Sequence, residues 1–412
     1  MAADAFTFKT PFDEQLGFFR RKLDLPSERW DDIRQAAHDR AFIVAGALKA
    51  DLLHDLRTAV DKAIADGKSL GWFRKEFAAI VKKHGWTGWT GQGTKAGEAW
   101  RTLVIYRTNL AASYAAGRRQ QLNDPGLAKL RPYWKYIHAD GVAHPRPLHL
   151  AWDGLVLPRA HPFWATHFPP NGWGCGCRVS AVTRRDFDAA VANGRGPDAA
   201  PAAGDIEGID PGFDYAPGAN ANTPWRQMIE RKLFNLDAPI GAAMMQALRP
   251  VLQAETGQAY RTWLAELATS ERAKSVTPIV GAVSLLDLEW LKNNGKPVPE
   301  TAEIGIASGV IAGPKALRHA TRGDALPRQV WENLPEMIAD PLAVLYDRKR
   351  GTLLYVLPEP SARRPQVVVE FDFLRKAKTG MNMIVSAYRP LLDDLRSRIA
   401  NGTVILMRGH LE

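Results

Sequence analysis

HADGVAHPRPLHLAWDGLVLPRAHPFWATHFPPNGWGCGCRV, residues 138–179, decides what kind of protein this chain is. Histidine, tryptophan, proline and glycine crowd together here, and both cysteines of the chain, Cys175 and Cys177, fall at its end. So many turn formers leave little regular backbone, so an ordinary helix or sheet does not explain the pattern. Something else must order it: a bound metal, packed indoles or a partner.

Working outward, the preceding residues read as successive helices. Ser27 is a candidate N-cap for ERWDDIRQAAHDRAFIVAGA, and LKADLLHDLRTAVDKAIADG runs with apolar spacing of three to four to Gly67. Ser69 opens LGWFRKEFAAIVKKHG, which stops at Gly85, and a longer helix is predicted over 95–122 with arginines edging its apolar stripe. RPYWKYIHAD, just before the dense stretch, alternates like a strand.

Downstream, residues 187–224 are rich in Ala, Gly, Pro and Asp with few large apolar groups, the composition of a flexible linker. A helical connector is expected over 225–276, with a break near Ala238 and Pro239. The remainder, 277–412, reads as a separate α+β unit. Two β-rich runs flank 347–351 as a hairpin, and in RRPQVVVEFDFL the residues Val367, Val369, Phe371 and Phe373 share one face, with Glu370 and Asp372 on the other. The expected class is therefore α+β and multidomain. A mainly helical first domain (1–186) carries a small Cys/His-bearing β/loop region, followed by linker, connector and C-terminal α+β domain.

Composition bounds the function classes. The 412 residues are 46% hydrophobic, enough for more than one core. The formal charge of +10, from 54 basic and 44 acidic side chains, favours nucleic acid or an acidic protein surface as partner. No run approaches a membrane span and no leader is visible, so membrane contact is not expected. Two cysteines suit assembly in a reducing cytoplasm.

Several stretches of the first ~185 residues together resemble phage head morphogenesis proteins of the Mu F type. They are FKTPFDEQLGFFRRKLDLP, AHDRAFIVAGALKADLL, IYRTNLAASYAAGR, HPRPLHLAWDG and PPNGWGCGCRV. The resemblance implies a minor head component of the virion, assembled with portal and capsid proteins in the bacterial host cytoplasm. One departure is His144, where that family often carries Arg, so His144 inherits no role.

Thiolate and imidazole are the preferred zinc ligands, which makes His149, Cys175 and Cys177 a candidate structural zinc set. Gly174 and Gly176 permit a turn that converges the sulfurs, and one of His144, His161 or His167 could complete a tetrahedron. Two reduced structural thiols beside a core histidine, or a disulfide across the turn, stand as alternatives.

The last third resembles phage-associated nuclease-like domains grouped with barnase, EndoU, colicin and RelE folds, through ETAEIGIASGVI, LRHATRGDALPRQVWENLPEMIADPLAVLYD, LLYVLPEP, VVVEFDF and GMNMIVSAYR. It implies RNA cleavage without a metal or other cofactor, and leaves open an immunity protein as a further partner. Cleavage through the 2′-hydroxyl needs a base, an acid and groups that hold phosphoryl charge. His319 is the candidate acid or base, and Asn382, Ser386, Tyr388 and Arg389 are candidate donors. Lys315, Arg318 and Lys376 are candidate RNA contacts. On a regular strand Asn382, Ser386 and Tyr388 would share a face. The alternative is a purely structural head protein whose C-terminal domain binds RNA, packaged DNA or a partner without catalysis.

Overall fold

The computed structural model describes residues 12–142, 144–359, 363–373 and 380–411. Lys376, one of the expected RNA contacts, lies outside them. The chain forms two compact units, 1–223 with 230–234, and 224–229 with 235–412. Among the described residues no helix is long and apolar enough to cross a membrane.

The first unit begins with helix α1 (Asp13–Arg20), followed by α2 (Ala50–Ala65), α3 (Leu70–His84) and α4 (Lys95–Leu122). Their starts and stops are set by local chemistry. The Ser69 hydroxyl accepts the Trp72 N–H and Gly85 ends α3 in the left-handed region at φ 58°, while the Thr94 hydroxyl caps α4. Phe19, Leu52, Leu56, Val60, Phe73, Phe77 and Ile105 bury one core among these helices.

The helix expected after Ser27 does not form. Between α1 and α2 the chain makes a short parallel pair, β1 (Leu23–Asp24) with β2 (Ala41–Phe42), and a single 3₁₀ turn at Gln35–Asp39. The reason is local competition. The Asp32 carboxylate takes the N–H groups of Glu28 and Arg29, and Ser27 donates to the Arg29 carbonyl, which holds a turn where a helix would start.

The dense stretch is threaded through a three-stranded antiparallel sheet in the order β4 (Val156–Pro158), β3 (Tyr133–Ile137), β5 (Arg178–Val182). Trp134, Tyr136, Trp152, Phe163, Trp164 and Phe168 are all buried around it. Residues 187–224, expected to be a free linker, pack onto this same unit. Asp39 accepts the N–H groups of Gly218 and Asn220, Ala216 joins the aromatic core, and the Gly208 backbone lies against Leu148 and Trp152. Small residues serve here as close-approach positions, a use that composition does not separate from linker use.

The second unit is built on a seven-stranded sheet in the order β12 (Val404–Gly409), β8 (Ala343–Asp347), β9 (Thr352–Val356), β10 (Gln366–Phe373), β11 (Met381–Tyr388), β7 (Glu303–Ile306), β6 (Ile279–Ala282). The β8–β9 hairpin falls where its turn residues place it: Asp347 accepts the N–H groups of Lys349 and Arg350, and Gly351 takes φ 66°. Both faces of the sheet are covered. Val344, Tyr346, Leu353, Val367 and Val369 belong to the larger core, and Leu345, Leu354, Val356 and Val368 to the smaller one. Period-two alternation divides them. The residues expected to be a connector belong to this unit, since Tyr260, Trp263 and Leu267, in and just past the helix Ile240–Glu266, pack into the larger core.

Candidate functional site

In the second unit a cleft of about 920 Å³ opens beside the helix Pro314–Arg322. Pro314 starts that helix and Gly323, at φ 70°, stops it. The chain therefore turns sharply after Arg322 and brings Asp324 back to His319. Nδ1 of His319 lies 2.9 Å from the Asp324 carboxylate, and the imidazole stacks on Tyr388, ring centroids 5.1 Å apart and planes 2° from parallel. The Arg389 N–H donates to the Asp324 carbonyl at 2.8 Å, so the end of β11 and the turn after the helix are tied together. An acidic partner at Nδ1 fixes the ring's orientation and leaves Nε2 as the nitrogen not committed to Asp324.

Lys315, Arg318, Arg322 and Arg350 line the same cleft, with Glu370 and Ser386. Lys315 donates to the Val385 carbonyl at 3.2 Å. Four cations and one carboxylate on a concave wall make a surface for a polyanion.

Two expected members are placed elsewhere. β11 carries one extra residue at Val385, because Val369 pairs with Ile384 while Val368 pairs with Ser386. Such a bulge reverses the alternation beyond it. Ser386 and Tyr388 therefore fall on the side of Val368 and the smaller core, whereas Asn382 shares the side of Ile384 and the larger core. Asn382 is fully buried, donating to the Thr301 carbonyl at 2.7 Å and accepting the Asp372 N–H, which fixes the strand and offers no group to the cleft. Arg389 is absent from the cleft wall among the described residues; its backbone carbonyl accepts from Arg363. A second slip in β10 places Asp372 at φ 48°, after which Phe373 lines the cleft with Glu370 instead of sharing the face of Phe371.

Asp324 and Glu370 were missed as site residues. The signal for Asp324 was the helix-stopping glycine just before it, and for Glu370 its position opposite the Val367/Val369 face.

The second constellation lies in the first unit. Nδ1 of His149 is 3.7 Å from Sγ of Cys175 and 3.8 Å from Sγ of Cys177, and all three ligand atoms lie within 4.8 Å of one another. His149 is buried in the short helix Pro147–Ala151, stacked on Trp152, and its Nε2 sits 3.0 Å from the Gly208 carbonyl. A carbonyl only accepts, so Nε2 carries the proton and Nδ1 presents a lone pair to the sulfurs. Gly174, at φ 72°, lies in the turn that the Cys175 N–H closes by donating to the Gly172 carbonyl at 3.1 Å. The thiols are unequal. The hydrogen bond that Cys175 donates, with that of the Ala139 N–H, pushes Cys177 down against its burial, while the same bond and burial push the Cys175 thiol up.

None of the three expected fourth ligands joins the group among the described residues. His167 is buried against Phe163 with Nδ1 at 2.8 Å from the Thr166 hydroxyl, Nδ1 of His161 accepts the Phe163 N–H, and His144 is exposed.

Residues 54–180, which contain this constellation, match the family described as Phage Mu protein F like protein. Over 445 aligned residues the chain is 28% identical to the putative capsid assembly protein F of Escherichia phage Mu, covering 99% of this chain and 98% of that protein. It is 25% identical over 434 residues to the Mu-like prophage FluMu F protein of Haemophilus influenzae, covering 93% and 99%. No solved structure matches the chain. The chain is thus similar over almost its whole length to two Mu-type F proteins and, over the region of the thiols and imidazole, to the Phage Mu protein F like family.

Proposed function

We propose that this chain works in the assembly of a phage head, in contact with capsid and portal proteins, and is carried in the virion. The observation that supports this most is length. Likeness extends over 98% of a protein named for capsid assembly, so both units are part of what is shared. Deleting its gene from an inducible prophage should abolish filled heads, and mass spectrometry of purified particles should find the chain. Normal particles lacking the chain would overturn the reading.

A finer reading concerns the second unit: its cleft holds RNA and cleaves it through the 2′-hydroxyl, without a metal. What supports it is the His319–Asp324 pair, stacked on Tyr388, on the wall that also carries Lys315, Arg318, Arg322 and Arg350. In this reading His319 moves the proton, Tyr388 holds its ring by stacking, Ser386 borders the reacting phosphate, and the cations hold its charge. Asn382 and Arg389 have no part in it. The full-length chain should cut RNA, and His319→Ala should lower the rate at least about a hundredfold, the usual weight of a general acid or base. Equal cutting by both would remove His319 from the mechanism. Retention of RNA or packaged DNA with no cutting by either would make the cleft a binding surface of a structural head protein.

A further inference from the structure

The segment 138–177 has a difficulty that its aromatic core solves only in part. Tyr136, Trp152 and Phe163 are buried, but the Asn171–Cys177 turn lies at the edge of that core, with Cys175 and Cys177 themselves only half-buried. A bound metal can order a loop that lacks a core of its own.

The spacing of the ligand atoms is informative. A tetrahedral ion with Zn–S near 2.3 Å and Zn–N near 2.05 Å places sulfur and nitrogen about 3.6 Å apart. The observed separations from Nδ1 of His149 are 3.7 Å to Cys175 and 3.8 Å to Cys177. A hydrogen-bonded thiol and imidazole alone do not require two sulfurs to converge on one ring nitrogen.

The surroundings agree. Metal-bound histidines almost always give their other ring N–H to a carbonyl or carboxylate, which orients the ring and strengthens the donor nitrogen. Here Nε2 donates to the Gly208 carbonyl and Trp152 stacks on the ring, so its lone pair is aimed before any ion arrives. Gly208 takes φ 84°, and a Cβ there would meet the Leu148 side chain at 2.8 Å, so this carbonyl is placed by a backbone that only glycine accommodates.

We infer that His149, Cys175 and Cys177 form a zinc site that pins the 171–177 turn to the helix Pro147–Ala151. Two thiolates and an imidazole select zinc over calcium or magnesium, which prefer oxygen. Three protein ligands leave one position for solvent. Cys175 borders a cavity of about 350 Å³, also lined by Arg107 and Thr108 of α4, through which solvent reaches the site. The ion neutralises both thiolates and cross-links residues far apart in sequence, so it stabilises by closing a loop as well as by bonding.

The test uses the full-length chain, produced in zinc-supplemented medium and purified without chelator. Elemental analysis is expected to find one zinc per chain, falling to background in Cys177→Ser. Exchange with cobalt is expected to give thiolate-to-cobalt charge-transfer absorption that is lost in Cys177→Ser and retained in His149→Cys, which replaces one zinc ligand by another. A folded wild-type chain holding less than about a tenth of an equivalent of metal and giving no such absorption with cobalt would overturn the inference, given the affinity of structural sites. So would a mass showing a disulfide, or cobalt absorption unchanged in Cys177→Ser. The metal content and cobalt spectrum of the wild-type chain decide between zinc and bare thiols even where a variant fails to fold.

Discussion

The cluster-bearing end of the first unit and the sheet of the second solve the same problem by different means. In the sheet, backbone ladders satisfy the polar groups and alternation divides side chains between two cores. Around residues 138–177 the strands are three to five residues long, and order comes from side chains. Tyr136 donates to Asn171 at 2.9 Å, Asp210 accepts both Arg146 and the Trp173 N–H, and indoles meet edge to face around Trp134 and Trp152. A ladder tolerates the loss of one side chain, since its neighbours keep the register. A side-chain-held loop concentrates its stability in a few contacts.

The sheet also carries contacts of that concentrated kind, and the one at Asp287 should show the largest effect. Asp287 is fully buried, with Nε of Arg408 at 2.6 Å, Nη2 at 3.1 Å and the Tyr355 hydroxyl at 3.4 Å. Asp287→Ala leaves the guanidinium and the hydroxyl without their acceptor, at a cost of about 3–5 kcal/mol. Urea denaturation read by hydrogen exchange over 343–356 should register it. A loss below about 1 kcal/mol would place this pair with ordinary surface bridges.

Next comes Gly208→Ala in the loop-held region. Left-handed backbone and the clash with Leu148 together should cost about 1–3 kcal/mol, the range for overpacking. Exchange protection at 147–151 should fall most, because the Gly208 carbonyl holds His149 there. Unchanged protection would mean that the aromatic core alone orders the loop.

The smallest effect is in pH. Burial lowers His38 from 6.5 to about 3, with nearby Lys22 adding to it, and lowers His167 from 6.5 to about 4. Both are neutral in the folded first unit, so between those values and 6.5 the unfolded chain binds two protons that the fold does not. Asp39 opposes them: burial raises it from 3.8 to about 6 despite the Gly218 and Asn220 N–H groups, so there the fold holds a proton the unfolded chain has lost. Near pH 5 these three groups together leave one extra proton on the unfolded side, so their contribution to stability rises with pH. The melting temperature of the first unit should therefore climb from pH 5 to 6.5 in calorimetry. A flat or falling profile would show that Asp39 outweighs the histidines.

Where a feature has a local cause, its residues were legible. Ser69 and Gly85 bound α3, the residues around Asp347 and Gly351 make the hairpin, and Pro314 opens the helix that bears Lys315 and His319. A turn at the cysteines was also readable from Gly174 and Gly176, and Gly174 takes the left-handed backbone such a turn uses. The Ser27 helix failed because the Ser27 hydroxyl takes the Arg29 carbonyl and the Leu233 carbonyl takes the Arg34 N–H, an acceptor and a donor that a helix would have paired. Residues 187–224 misled because glycine and alanine look alike in a tether and in a close-packed backbone.

By itself, the sequence determined the helices with capped ends, the hairpin and the residue types able to bind metal or move a proton, since capping, turn preference and periodicity act within a few residues. Only the tertiary structure decided which side chains meet. The extra residue at Val385 sends Asn382 to the core and Ser386 to the cleft, Asp324 returns to His319 through the turn at Gly323, and the Gly208 carbonyl reaches His149 from 59 residues away. Bulges and long-range acceptors depend on neighbouring strands and closed loops, which no window of local sequence contains.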